Sequence, residues 1–180
     1  GSAEMFEWTA RHTKFRPGFG LPGTVWQSGM PVIMQDLLSS KRTLRRDSDV
    51  KIGISKGVGI PCSFDNRQAV VMTFLSALGT PIARRFEIWV PTDDGSALRF
   101  GAGDCDQRPH LAECHGDARI APGQGALGEA WQKGIPTVRA SLACEPGAAA
   151  QAATAAGLTT TVVVPVIQDG RFRAAVAWYF

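Results

Sequence analysis

Pro122-Gly123-Gln124-Gly125-Ala126-Leu127-Gly128-Glu129-Ala130-Trp131-Gln132-Lys133-Gly134-Ile135-Pro136 decides how this chain of 180 residues is read, because its spacing already occurs once upstream. Pro17-Gly18-Phe19-Gly20-Leu21-Pro22-Gly23-Thr24-Val25-Trp26-Gln27-Ser28-Gly29-Met30-Pro31 carries the same pattern, PGxGxxGxxWQxGxP, 105 positions earlier. Farther on, Gly53 stands eight residues before Pro61 and Gly157 eight before Pro165, while Asp65 and Asp169 each open a turn into a final apolar strand, now at an offset of 104. Self-similarity of that length reads as a duplicated unit. The expected organisation is a partial unit over residues 1–80 and a fuller one over 81–180.

Each unit reads as mixed α/β. Residues 21–28 and 127–133 make one to two helical turns that Gly29 and Gly134 end as C-caps and that Pro31 and Pro136 prevent from continuing. Trp26 and Trp131 are expected as inward-facing anchors. Short strands are expected at 32–34 and 137–138, and the Ala-rich 148–156 is helical by propensity and stopped by Gly157. Residues 159–167 are β-branched, Gln168-Asp169-Gly170 is a hairpin turn, and 172–180 is the partner strand; 58–63, 65–67 and 68–75 repeat that arrangement. Ahead of its motif the second unit has a hairpin, 86–90 and 98–101 around Asp93-Asp94-Gly95. The first has only 6–10 there, about half the needed length. Its opening strands therefore lie upstream or are absent.

Composition excludes several classes. The chain is 44% hydrophobic and 19% charged, with a mean hydropathy near zero. A membrane span needs about 20 consecutive apolar residues, and a disordered chain needs fewer apolar residues and more net charge. The formal net charge of +3 is too balanced to imply a polyanion. Lys41, Arg42, Arg45 and Arg46 supply most of the basic excess and read as a solvated face, with no interleaved aromatics for a nucleic acid. Cys62, Cys105, Cys114 and Cys144 show no CxxC spacing, and no apolar signal segment begins the chain, so reduced thiols in a cytoplasmic protein are expected. Gly1-Ser2 looks like a cloning scar and Phe180 ends the chain inside an apolar run, so a piece of a longer protein is expected.

The glycines satisfy the dinucleotide fingerprint twice, but that fingerprint needs a preceding buried strand and a following full helix. Residues 14–17 and 117–122 are not apolar strands, and the helix is cut after two turns. A structural role fits better: a tight reversal that lets a short helix lie close on a sheet.

With its loop, helix, strand proline and closing hairpin, the PGxGLPGxxWxSGxP element resembles the GAF domain, a small-molecule sensory module related in architecture to PAS. The resemblance covers nearly all of 81–180 and roughly 15–76; Ala126-Leu127 stand where the first copy has Leu21-Pro22. It implies a central antiparallel sheet with flanking helices and a ligand pocket on one face, with Trp89, Phe100, Val138, Leu158 and Val164 on or near the wall. It also implies a regulatory rather than enzymatic protein that binds a small molecule, with a homodimer as a further expectation and no nucleic-acid or membrane partner. The cofactor or ligand is unknown, because GAF pockets share a frame and differ in side chains. The alternative is a pocket filled by its own side chains in an interaction or dimerisation module.

Two chemical readings are weaker. Cys105, His110, Cys114 and His115 could supply zinc ligands, but adjacent Cys and His rarely reach one ion together, so no metal is assigned. Cys114-His115 is similar to the bilin-attaching dipeptide of phytochrome-like GAF domains, yet it precedes the glycine motif instead of following it. The GAF-like enzyme free methionine-R-sulfoxide reductase works by thiolate attack. It carries a cysteine before the motif's last glycine, where this chain has Leu127 and Pro22, and an acidic substrate element where this chain has 159–161. No Ser/His/Asp set is visible; His12, His110 and His115 all lie in polar segments.

Overall fold

The computed structural model describes residues 2–35, 37, 53–65, 68–77, 80–106 and 111–180. The chain divides into unit 1, Gly1–Ile82, and unit 2, Ala83–Phe180. The basic stretch at 41–46 and His110 lie outside the described residues.

Unit 1 runs α1 (Ser2–His12), α2 (Gly20–Ser28), β1 (Val32–Met34), β2 (Ile54–Asp65) and β3 (Gln68–Ala77), with its strands antiparallel in the order β1-β2-β3. Residues 6–10 are therefore not the remnant of an opening strand. They sit inside α1, where Glu7 pairs with Arg11 at 2.8 Å, and Arg11 and His12 close the last turn against the helix dipole.

The glycine motif builds the same corner twice. The amide of Gly18 donates to the carbonyl of Gly23 at 2.7 Å and that of Gly123 to Gly128 at 2.8 Å. A Cβ on Gly23 would collide with the carbonyl oxygen of Arg16, and one on Gly128 with that of Ala121. Only a residue without a side chain lets the incoming chain fold back against the helix it has just started. The helices end alike, at Gly29 and Gly134 in the left-handed region with φ 62° and 66°. One of the two tryptophans departs from expectation. Trp26 is 52% exposed, and Trp131 is half-buried against Phe172. The residues that face inward are Leu21 and Val25 in α2 and Ala126, Leu127 and Ala130 in the second helix.

Unit 2 contains β4 (Arg85–Pro91), β5 (Leu98–Cys105), α3 (Leu111–His115), α4 (Gly125–Lys133), β6 (Thr137–Arg139), α5 (Ala148–Ala155), β7 (Thr161–Gln168) and β8 (Arg171–Tyr179). Its strands are antiparallel in the order β5-β4-β8-β7-β6. The β6-β7-β8 part follows the register of β1-β2-β3. Thr137 faces Val163 and Thr161 faces Tyr179, as Val32 faces Gly59 and Gly57 faces Leu75. Strands β4 and β5 have no counterpart among the described residues of unit 1. One core joins α4, α5 and the inward face of the sheet through Leu127, Ala130, Ala153, Val163 and Ala177.

Candidate functional site: a buried carboxylate hub beside a cavity

Strand alternation puts Arg85, Glu87 and Trp89 on one face of β4, in register with Tyr179, Ala177 and Ala175 of β8. All three side chains are fully buried, and α3 brings His115 to them. The Glu87 carboxylate is the hub. Its Oε2 accepts from Trp89 Nε1 at 2.9 Å and from the Tyr179 hydroxyl at 3.1 Å. Its Oε1 lies 2.8 Å from His115 Nε2 and 3.5 Å from Arg85 Nη1. Arg85 Nη2 also donates to the Ala152 carbonyl at 3.3 Å, which ties the hub to α5. Phe100 and Trp89 flank the His115 ring at centroid distances of 5.2 and 5.4 Å. An isolated buried carboxylate is costly, and four donors offset that cost. Burial drives the Tyr179 phenol well above its usual pKa, and the neighbouring Glu87 carboxylate pushes the same way.

The Tyr179 ring is also part of the wall of a cavity of about 170 Å³ between α4, the start of α5 and β7. Ile120, Leu127, Leu142 and Val163 give it an apolar lining; Arg119, Gln124, Glu145, Thr161 and Tyr179 contribute polar groups. Glu145 braces the loop over it, accepting from the Ala126 amide and from Arg139 Nε, both at 2.8 Å. Arg139 in turn pairs with Glu129; Glu129 and Glu145 raise the Arg139 pKa, and Lys133, then Arg139, lower that of Glu129.

None of Trp89, Phe100, Val138, Leu158 and Val164 is on the wall of this cavity. Trp89 and Leu158 are sealed in the core, and Phe100 packs against Trp89. Val138 pairs with Val162, and Val164 with Val176, which puts both on the sheet face opposite Val163. A shift of one residue along a strand is enough to change face. The sequence reading placed 86–90 in a hairpin strand and did not single out Arg85 or Glu87, because apolar residues occupy both faces of that strand. The available signal was Trp89, a large aromatic in phase with them.

The remaining sequence candidates are dispersed. Cys105 is buried, Cys114 and Cys144 are exposed, Cys62 is half-buried, and all four are free thiols. His115 is in the core rather than in a polar segment. Among the described residues no three His, Cys, Asp or Glu side chains group as metal ligands. None of their helices is long and apolar enough to cross a membrane.

No protein-family profile matches the chain, and no curated protein sequence matches it. Solved structures do. The free methionine-R-sulfoxide reductase of Neisseria meningitidis, solved with its substrate, is 21% identical with a TM-score of 0.41, over 54% of this chain and 52% of that one. The GAF domain of a Coxiella burnetii phosphoenolpyruvate-protein phosphotransferase is 16% identical with a TM-score of 0.42, over 54% and 56%. A GAF domain of A. aeolicus in an inactive state is 17% identical with a TM-score of 0.41, over 54% and 57%. The chain spans about half the length of these proteins. The described strands of both units are antiparallel, with helices flanking them.

Proposed function

We propose that this chain is a regulatory module of GAF type in which unit 2 takes a small ligand between α4, α5 and β7. The cavity under these elements carries the reading. Occupancy would bias the loop held by Glu145 and the Ala-rich α5, and the shift would reach a partner or a fused output domain as a change in population. We read the two units as copies of one segment, supported by the shared motif spacing and the matching caps and registers. The reading assigns no thiol chemistry to this cavity, since none of the four cysteines is on its wall. Free thiols fit a reducing compartment such as the cytoplasm.

Thermal shift against amino-acid derivatives and other small organic compounds tests the ligand reading. A ligand that raises the Tm of the wild type and not of Ala126→Leu supports it. Failure of every compound to stabilise the protein would count against it. Incubation with free methionine-R-sulfoxide and a thiol reductant should yield no methionine.

A second reading, an interaction or dimerisation module, draws on the apolar side chains exposed beside β6, where Ile135 is 56% and Val138 60% exposed. A concentration-dependent mass in sedimentation that Val138→Lys abolishes is the outcome this reading expects.

A further inference from the structure

The geometry points to a compact carboxylate as the ligand of the unit 2 cavity: one anionic group on a short apolar body. The inference rests on the reading of that cavity as a ligand site. Its volume of about 170 Å³ is close to that of a cavity able to hold benzene, so the enclosed part of a ligand is limited to roughly six to eight non-hydrogen atoms. That is far below a nucleotide or a tetrapyrrole.

The polar inventory of the wall selects the charge. Its two ionised side chains are Arg119 and Glu145. Both Glu145 oxygens are engaged, Oε1 by Arg139 Nε and Oε2 by the Ala126 amide. Arg139 continues to Glu129, and Glu129 to Lys133, so two carboxylates and two cations form a neutral set. Arg119 stands apart from this set. Its Nη1 donates to the neutral carbonyl of Ala118 at 3.0 Å, and among the described residues it forms no ion pair. The uncompensated charge on the wall is therefore positive, and the same wall includes the first turn of α5, whose N-cap Gly147 supplies no side-chain oxygen. An ammonium ligand would meet repulsion there.

Farther in, the hydroxyl protons are already committed. Thr161 donates to the Trp178 carbonyl at 3.0 Å, and Tyr179 to Glu87 at 3.1 Å. Neither hydroxyl has a proton left for an anion; Gln124, whose Oε1 accepts from the Ala121 amide at 2.9 Å, is the wall's other polar side chain, and Ile120, Leu127, Leu142 and Val163 suit hydrocarbon. The carboxylate thus sits at Arg119 and the apolar body lies against Leu127, Leu142 and Val163.

The test is methyl NMR titration of the whole 180-residue chain with three near-isosteric probes: 4-methylpentanoate, 4-methylpentanamide and 4-methylpentylamine. The expected result is saturable shifts of the Leu127, Leu142 and Val163 methyls with the carboxylate, and binding at least tenfold weaker for the amide and the amine. Arg119→Gln, at an exposed side chain, should weaken the carboxylate at least tenfold and leave the amide unchanged. Amide or amine binding as tight as the carboxylate, or an Arg119→Gln protein that binds the carboxylate normally, overturns the carboxylate while leaving the cavity reading in place. Carboxylate-induced shifts confined to other residues overturn it too. If no probe moves these methyls, the carboxylate and the cavity reading fail together.

Discussion

Unit 1 and unit 2 place the same helix on the same strands and reach opposite results. In unit 1, α2 presents Leu21 and Val25 to Gly57 and Gly59 of β2. A Cβ on Gly59 would lie 2.5 Å from Val25, and one on Gly57 would lie 2.8 Å from Leu21 and 3.1 Å from Leu37. In unit 2 the sizes are exchanged. Ala126 and Ala130 face a sheet bearing Thr161 and Val163, and Tyr179 stands where unit 1 has Leu75. Among the described residues of unit 1, large helix residues on a bare sheet leave no room for a side chain at Gly57 or Gly59. Small helix residues on a furnished sheet leave unit 2 with a cavity bounded by hydroxyls. The backbone corner that both share does not determine whether a pocket exists; the sizes of about six side chains do.

The comparison can be broken most severely at the hub, which has no counterpart among the described residues of unit 1. Glu87→Ala leaves Arg85, His115, Trp89 and Tyr179 without their acceptor and is expected to destabilise unit 2 by about 3–5 kcal/mol. Hydrogen exchange should show β4 and β8 opening while β2 and β3 keep their protection. Next in size, Gly59→Val puts the unit 2 residue where unit 1 has no room and should cost about 1–3 kcal/mol in a urea melt. Adding Val25→Ala, which completes the exchange of sizes, should recover most of the loss; a strictly additive double mutant would contradict the account of unit 1. The converse change, Ala126→Leu, enters space that is already empty and should move stability by less than about 1 kcal/mol while removing ligand binding.

Smaller effects separate the two ends of the pH scale. The Tyr179 phenol is raised in the fold, so its contribution is complete below its unfolded pKa of about 10 and is lost as pH rises through the higher folded value. Alkaline melts of wild type should fall more steeply than those of Tyr179→Phe. Asp94, in the β4–β5 turn, is lowered to about 2 by the Thr92 hydroxyl and then by the Ser96 amide and hydroxyl. Its contribution is present above 3.8 and fades as pH falls toward 2. Asp94→Asn should flatten that acid slope slightly, since the side chain is exposed.

The sequence carried the frame well, because that frame depends on local rules. Gly29 and Gly134 had to be caps, Pro31 and Pro136 had to stop the helices, and the Asp169-Gly170 turn had to join two strands. The site was poorly legible, for reasons visible in individual residues. Val164 was expected near the pocket, and Val163 lines it. Trp26 was expected inside because it is large, yet the face it occupies is set by where Leu21 and Val25 fall on the helix. His115 was placed in a polar segment and Glu87 was not singled out, since one residue's neighbours in sequence do not reveal that β8 and α3 converge on Glu87.

Xenon dissolved under pressure, read through methyl NMR of the full chain, tests the central contrast most directly. The account predicts that the methyls of Leu127, Leu142 and Val163 shift with xenon and that those of Leu21, Val25 and Leu37 do not. Shifts in the unit 1 methyls, or none in unit 2, would contradict it.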